Sequence, residues 1–144
     1  MCRVVYIASD RPLPLVPFEQ GTVFYIRAVT DLADRVSLPH VQMAGAHSGC
    51  ECGFERLAAE TSDPTSGATK ATLASREALV AYLTAQLEAG FQIELLTGWD
   101  EEESGMPPPG PERTPREVLE VMTGPREMER FKVIRALRQA ETLP

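Results

Sequence analysis

Apolar and polar positions along the chain alternate with two different periods. Val4-Val5-Tyr6-Ile7-Ala8 is an unbroken apolar run, which predicts a strand buried on both faces and central in its sheet. Thr22 to Val29 is β-branched and aromatic and predicts a second strand. His40 to Ala46 predicts a third, with Val41 and Met43 on one face and His40, Gln42 and Ala44 on the other. Phe91 to Thr97, with Phe91, Ile93 and Leu95 sharing a face, and Phe131 to Leu137 complete the strands.

The helical period is clearest over Ser75 to Ala89. Leu79, Leu83 and Leu87 recur at four-residue spacing, and Val80 and Tyr82 widen the stripe. Ser75 reads as the N-cap, Glu77 lies in the first turn, and Gly90 is the stop. A shorter helix is expected over Arg116 to Met122, entered through Thr114-Pro115 and ended by Gly124-Pro125. The rest reads as connection. Asp10 to Pro17 carries Pro12, Pro14 and Pro17 and must be extended. Leu32 to Val36 is a helical turn or an irregular crossing, and Ser48 to Gly53 is turn-like. Phe54 to Ala59 resumes the strand or opens a short helix, and Thr61 to Lys70 is a loop. Gly98 to Pro115 is long, acidic and rich in proline. Together these predict one α+β domain over residues 1–144: a mixed or antiparallel sheet of about four to six strands with one main helix packed on a face.

Composition narrows the partners. Hydrophobic residues make up 43% of the 144, enough for a core that folds without disulfides or metal. The net charge of −7 disfavours phosphate backbones and anionic headgroups, so neither nucleic acid nor a membrane is expected as partner. No apolar run approaches the roughly 20 residues of a membrane span. The opening residues lack a secretory apolar region, since Asp10 and Arg11 follow the Val4–Ala8 run at once. With an odd number of cysteines, this places the chain in the reducing cytoplasm.

Candidate chemistry concentrates in one place. The chain has 2 His and 3 Cys, and only Cys2 lies outside the stretch from His40 to Cys52. Cys50 and Cys52 would share one side of an extended segment, and their sulfurs could meet a borderline metal such as zinc with His47 approaching from the preceding turn. His40 or Cys2 would supply a fourth ligand. Cys-x-Cys is not the common zinc spacing, and free cysteines often pack as small core hydrophobes. Gly45, Gly49 and Gly53 permit backbone N–H groups to point at a thiolate, so thiol or redox chemistry at Cys50 or Cys52 is a second reading. A third is an acidic interaction module: Trp99 precedes Asp100-Glu101-Glu102-Glu103, a run suited to a basic protein partner, although acidic runs are commonly solvated loops. Arg11 to Pro17 matches the basic-x-x-Pro-x-x-Pro form bound by SH3 domains, but rigid structural use of such a segment is far more common.

Two resemblances bear on these residues. Cys2 to Leu13, Pro39-His40-Val41, Gly49-Cys50-Glu51-Cys52-Gly53-Phe54 and Glu94 to Glu101 resemble a family of small bacterial proteins. That family shares a first strand ending in Ala-Ser-Asp, a Cys-x-Cys-Gly-Phe segment and a Trp before acidic residues. It has no established activity, so the resemblance implies no catalytic residue and only draws attention to Cys50, Cys52, His40 and His47. The opening Met-Cys is also similar to class II glutamine amidotransferases, whose N-terminal Cys is the nucleophile. Arg3 stands where that family has Gly, and the chain is short for its four-layer fold.

Overall fold

The computed structural model describes residues 3–30, 36–47, 49, 54, 67–99, 107–121 and 129–136. It is an α+β arrangement of β1 (Arg3–Ser9), β2 (Phe24–Ala28), β3 (His40–Ala46), α1 (Gly67–Glu88), β4 (Ile93–Trp99), α2 (Pro115–Val121) and β5 (Glu129–Val133). The strands form one 5-stranded sheet in the order β2-β3-β1-β4-β5, and every ladder is antiparallel. The expected sheet and main helix are therefore present. The described residues form one sheet, with no second sheet of the kind the four-layer amidotransferase fold requires.

The Val4–Ala8 run is central, as its lack of polar positions requires. Val5 and Ile7 are sealed into the main core with Leu79, Leu83 and Leu87 of α1, Val118 and Leu119 of α2, and Phe131 and Val133 of β5. Ala8 points the other way, into a smaller cluster with Val36, Val41 and Leu96. No helix covers that second face among the described residues. Its polar anchor is Glu94 on β4. The carboxylate accepts the Ser37 N–H at 2.8 Å and the Ser37 hydroxyl, and it pairs with Arg130 of β5 at 3.2 Å. Arg130 also donates to the Pro107 carbonyl at 2.9 Å. An ion pair this buried is tolerated because both groups also hold fixed hydrogen-bond partners.

Proline-rich segments close both sheet edges. Val16 exchanges two backbone hydrogen bonds with Ile26 on the outer side of β2, at 3.1 and 2.9 Å. Leu13 is buried in the main core, the Pro14 carbonyl accepts the Tyr82 hydroxyl at 2.6 Å, and the Arg11 guanidinium lies 4.2 Å from the Phe91 ring centroid. The Arg11–Pro17 segment is thus an edge cover tied to α1. At the other edge, Pro109 and Arg113 make parallel bridges to Arg130 and Val133. Proline has no N–H to donate, so the residues covered this way are shielded from further strand pairing.

Several boundaries differ from the sequence expectation. α1 starts at Gly67, so residues 67–70 are helical and Ser75 is interior to the helix, not its cap. The buried stripe continues upward through Ser75 and Thr72, hydroxyl residues that an apolar pattern does not count. The C-terminal end is as expected. Gly90, at φ +91°, lets its N–H reach the Leu87 carbonyl at 3.0 Å while the Phe91 N–H reaches Gln86 at 3.1 Å, and Arg135 donates to the carbonyls of Leu87 and Glu88. At α2, Thr114 does cap the helix: its hydroxyl accepts the Glu117 N–H at 3.3 Å. β4 runs on to Trp99, which shortens the acidic connection, and β5 starts at Glu129 and ends at Val133. The positions expected for Leu32–Arg35, Glu55–Ala59, the loop from Thr61 up to the start of α1, and Gly124-Pro125 lie outside the described residues.

Leu83 is fully buried, so Leu83→Ala should cost about 2–5 kcal/mol, read as a lower denaturant midpoint at unchanged slope. Burial raises the Tyr82 phenol to about 12. Its neutral form is favoured in the folded chain, so this contribution is complete below the ordinary tyrosine value of about 10 and disappears as pH rises through about 12. Stability measured across that window should fall, and Tyr82→Phe should flatten the fall.

Candidate functional site

Of the residues singled out by sequence, His40 and His47 are described, whereas Cys2, Cys50, Cys52 and the run Asp100–Glu103 lie outside the described residues. His40 opens β3, and His47 directly follows its last residue, Ala46. At about 3.3 Å per residue, an extended strand of this length separates them by on the order of 20 Å. One ion cannot take both, so His40 is removed as a fourth ligand beside His47.

His47 is held by an arrangement that sequence reading missed. The Ser75 hydroxyl, fully buried on α1, donates its only proton to the Val23 carbonyl at 2.6 Å. The same oxygen accepts the backbone N–H of His47 at 3.1 Å. The His47 ring nitrogen Nδ1 lies 2.9 Å from it. With the hydroxyl proton already given to a carbonyl, which can only accept, Nδ1 must be the donor. The count assigns the tautomer: Nδ1 carries hydrogen, and in the neutral ring Nε2 carries the lone pair. It also excludes a hydrolytic reading of the Ser–His contact, because the serine is sealed from solvent and its proton is not directed at the imidazole. The signal that could have found this was a serine in the i−4 position to Leu79, on the buried stripe.

The chain beyond His47 is guided by aromatic side chains. Gly45 has no room for a side chain: a Cβ there would lie 1.9 Å from the Tyr25 ring. Tyr25 therefore lies across β3, and its hydroxyl donates to the Gly49 carbonyl at 3.0 Å. The Gly49 N–H reaches back to Ala46 at 3.0 Å, and Phe18 packs edge-on against Tyr25 with centroids 5.1 Å apart. On the far side of the cysteine pair, Phe54 is fully buried against Phe24. Gly49 and Phe54 are the described residues that flank Cys50 and Cys52 in the sequence.

Comparison with protein-family models, curated proteins and solved structures returns no match. A histidine whose Nδ1–H is bound to an oxygen and whose Nε2 is a free base is the usual state of a metal-ligating imidazole, or of an imidazole that accepts a hydrogen bond. Among the described residues no helix is long and apolar enough to cross a membrane.

Ser75→Ala removes the acceptor for Nδ1 and orphans the Val23 carbonyl. It should cost about 1–3 kcal/mol. In long-range ¹H–¹⁵N spectra the His47 ring should revert toward the Nε2–H form; an unchanged tautomer would show that Ser75 does not set it.

Proposed function

We propose that the chain is a small cytoplasmic metal-binding protein in which His47 Nε2, Cys50 and Cys52 ligate a transition metal, zinc first, with Cys2 as a fourth ligand. The observation that carries this is the fixed tautomer of His47. A buried serine oxygen holds Nδ1–H, which in the neutral ring leaves the lone pair on Nε2 to coordinate. Cys50 and Cys52 follow within a few residues, between Gly49 and Phe54, and thiolate with imidazole is a donor set that zinc accepts. The binding free energy of such an ion would appear as added stability.

Protein purified without chelator should carry close to one equivalent of zinc by elemental analysis. Added zinc should raise the melting temperature of the apo form; at a hundredfold excess over Kd the linkage amounts to about 2.7 kcal/mol. The variants Cys50→Ser and Cys52→Ser should each abolish both effects, and Ser75→Ala should weaken zinc affinity about 10–100-fold. Metal below about a tenth of an equivalent, with no gain in melting temperature on adding zinc, would sink the proposal.

A further inference from the structure

A second feature, independent of the thiols, lies at the opposite end of β3. There the sheet face that α1 covers elsewhere changes from apolar to polar. Ile26 and Ala44 belong to the main core, and by strand alternation Ala28, Gln42 and His40 continue the same face. Leu13 and Leu15 wall this end from the proline-rich segment and Pro39 from the other side, leaving a groove of about 360 Å³. That lies within the range of small-ligand sites, roughly 300–1,000 Å³.

Gln42 is the informative residue. It is only 4% exposed, yet its carboxamide has a single neighbour among the described residues: the Ser9 hydroxyl, 3.4 Å from Oε1. Ser9 donates its one proton to the Arg11 carbonyl at 2.6 Å. It has none left for Gln42, and at most it accepts one N–H if the amide is turned over. In either orientation the carboxamide keeps a donor and an acceptor together without partners among the described residues. Gln42 lines the groove and its nitrogen is not sealed off, so a molecule seated there can supply both partners. The Ala28 backbone adds to this. β2 bonds to β3 through alternate residues, as the Val29 N–H to Val41 carbonyl bond at 3.1 Å shows, so Ala28 directs its N–H and C=O away from β3, toward the groove side.

We infer that this groove binds a small, uncharged, planar molecule presenting an adjacent donor and acceptor, the edge of a cyclic amide or nucleobase, which pairs with the Gln42 carboxamide. A carboxamide matches such an edge with two hydrogen bonds. The apolar walls favour a flat neutral ring, and the lining offers no fixed charge to compensate a buried ion. The negative net charge further selects a free base over a phosphorylated one.

The test is titration of the ¹⁵N-labelled full chain with uracil, adenine and 2-piperidone, using 1,3-dimethyluracil as the control that lacks the donor. The Gln42 side-chain amide and Ala28 backbone signals should move with at least one of the three and not with the control. In Gln42→Leu, affinity should fall at least tenfold while the melting temperature holds or rises, because an isosteric apolar group removes an unsatisfied amide. Silence of Gln42 toward all three probes at millimolar concentration would overturn the inference. So would an equal response to dimethyluracil, or a Gln42→Leu variant that loses stability while keeping probe affinity.

Discussion

β1 has no face that tolerates water, and most of the architecture follows from covering it. One side is met by α1 and α2, whose leucines and valines close over Val5 and Ile7. The other side has no helix among the described residues and is met by apolar side chains from the sheet itself and from the stretch around Val36, locked in place by Glu94, Arg130 and Ser37. The hydrophobic term supplies the drive on both faces. On the second face the ion pair adds directionality, since a carboxylate with three specific donors admits one placement of the segment that carries Ser37.

The same economy governs the edges. A five-stranded sheet has two, and each is covered by a stretch rich in proline. These segments read as loops in sequence and look available for recognition. Their positions give them a different role: Val16 bonds Ile26 on the outer side of β2, Gly110 and Arg113 bond Arg130 and Lys132 of β5, and proline disfavours further strand pairing there.

Much of the fold was legible because period and punctuation were strong. Val4–Ala8, the leucines of α1 with Gly90 behind them, and Thr114-Pro115 ahead of α2 all declare themselves through side-chain type alone. The early start of α1 was not legible because Thr72 and Ser75 are buried as hydroxyls, and a hydroxyl has no fixed sign in a hydrophobic pattern. The site was legible only as a cluster of residue types. His40 and His47 are close in sequence, but an unbroken strand between them converts that closeness into separation. The partner that orients His47 comes from a distant helix, and no local spacing could have named Ser75. Gln42 likewise alternates unremarkably along β3; its significance depends on what Ser9 does with one proton.

The position of β1 in the ladder also bears on how the chain is made. Its residues pair with β3 on one side and with β4 on the other, so that Arg3 lies opposite Trp99. During synthesis the strand emerges early and then waits through α1 before its second neighbour exists. Such long-range pairing is slow and leaves an apolar segment uncovered meanwhile. Until β4 leaves the ribosome the nascent chain carries its most water-averse strand half-paired, which is the interval when a chaperone would be of most use.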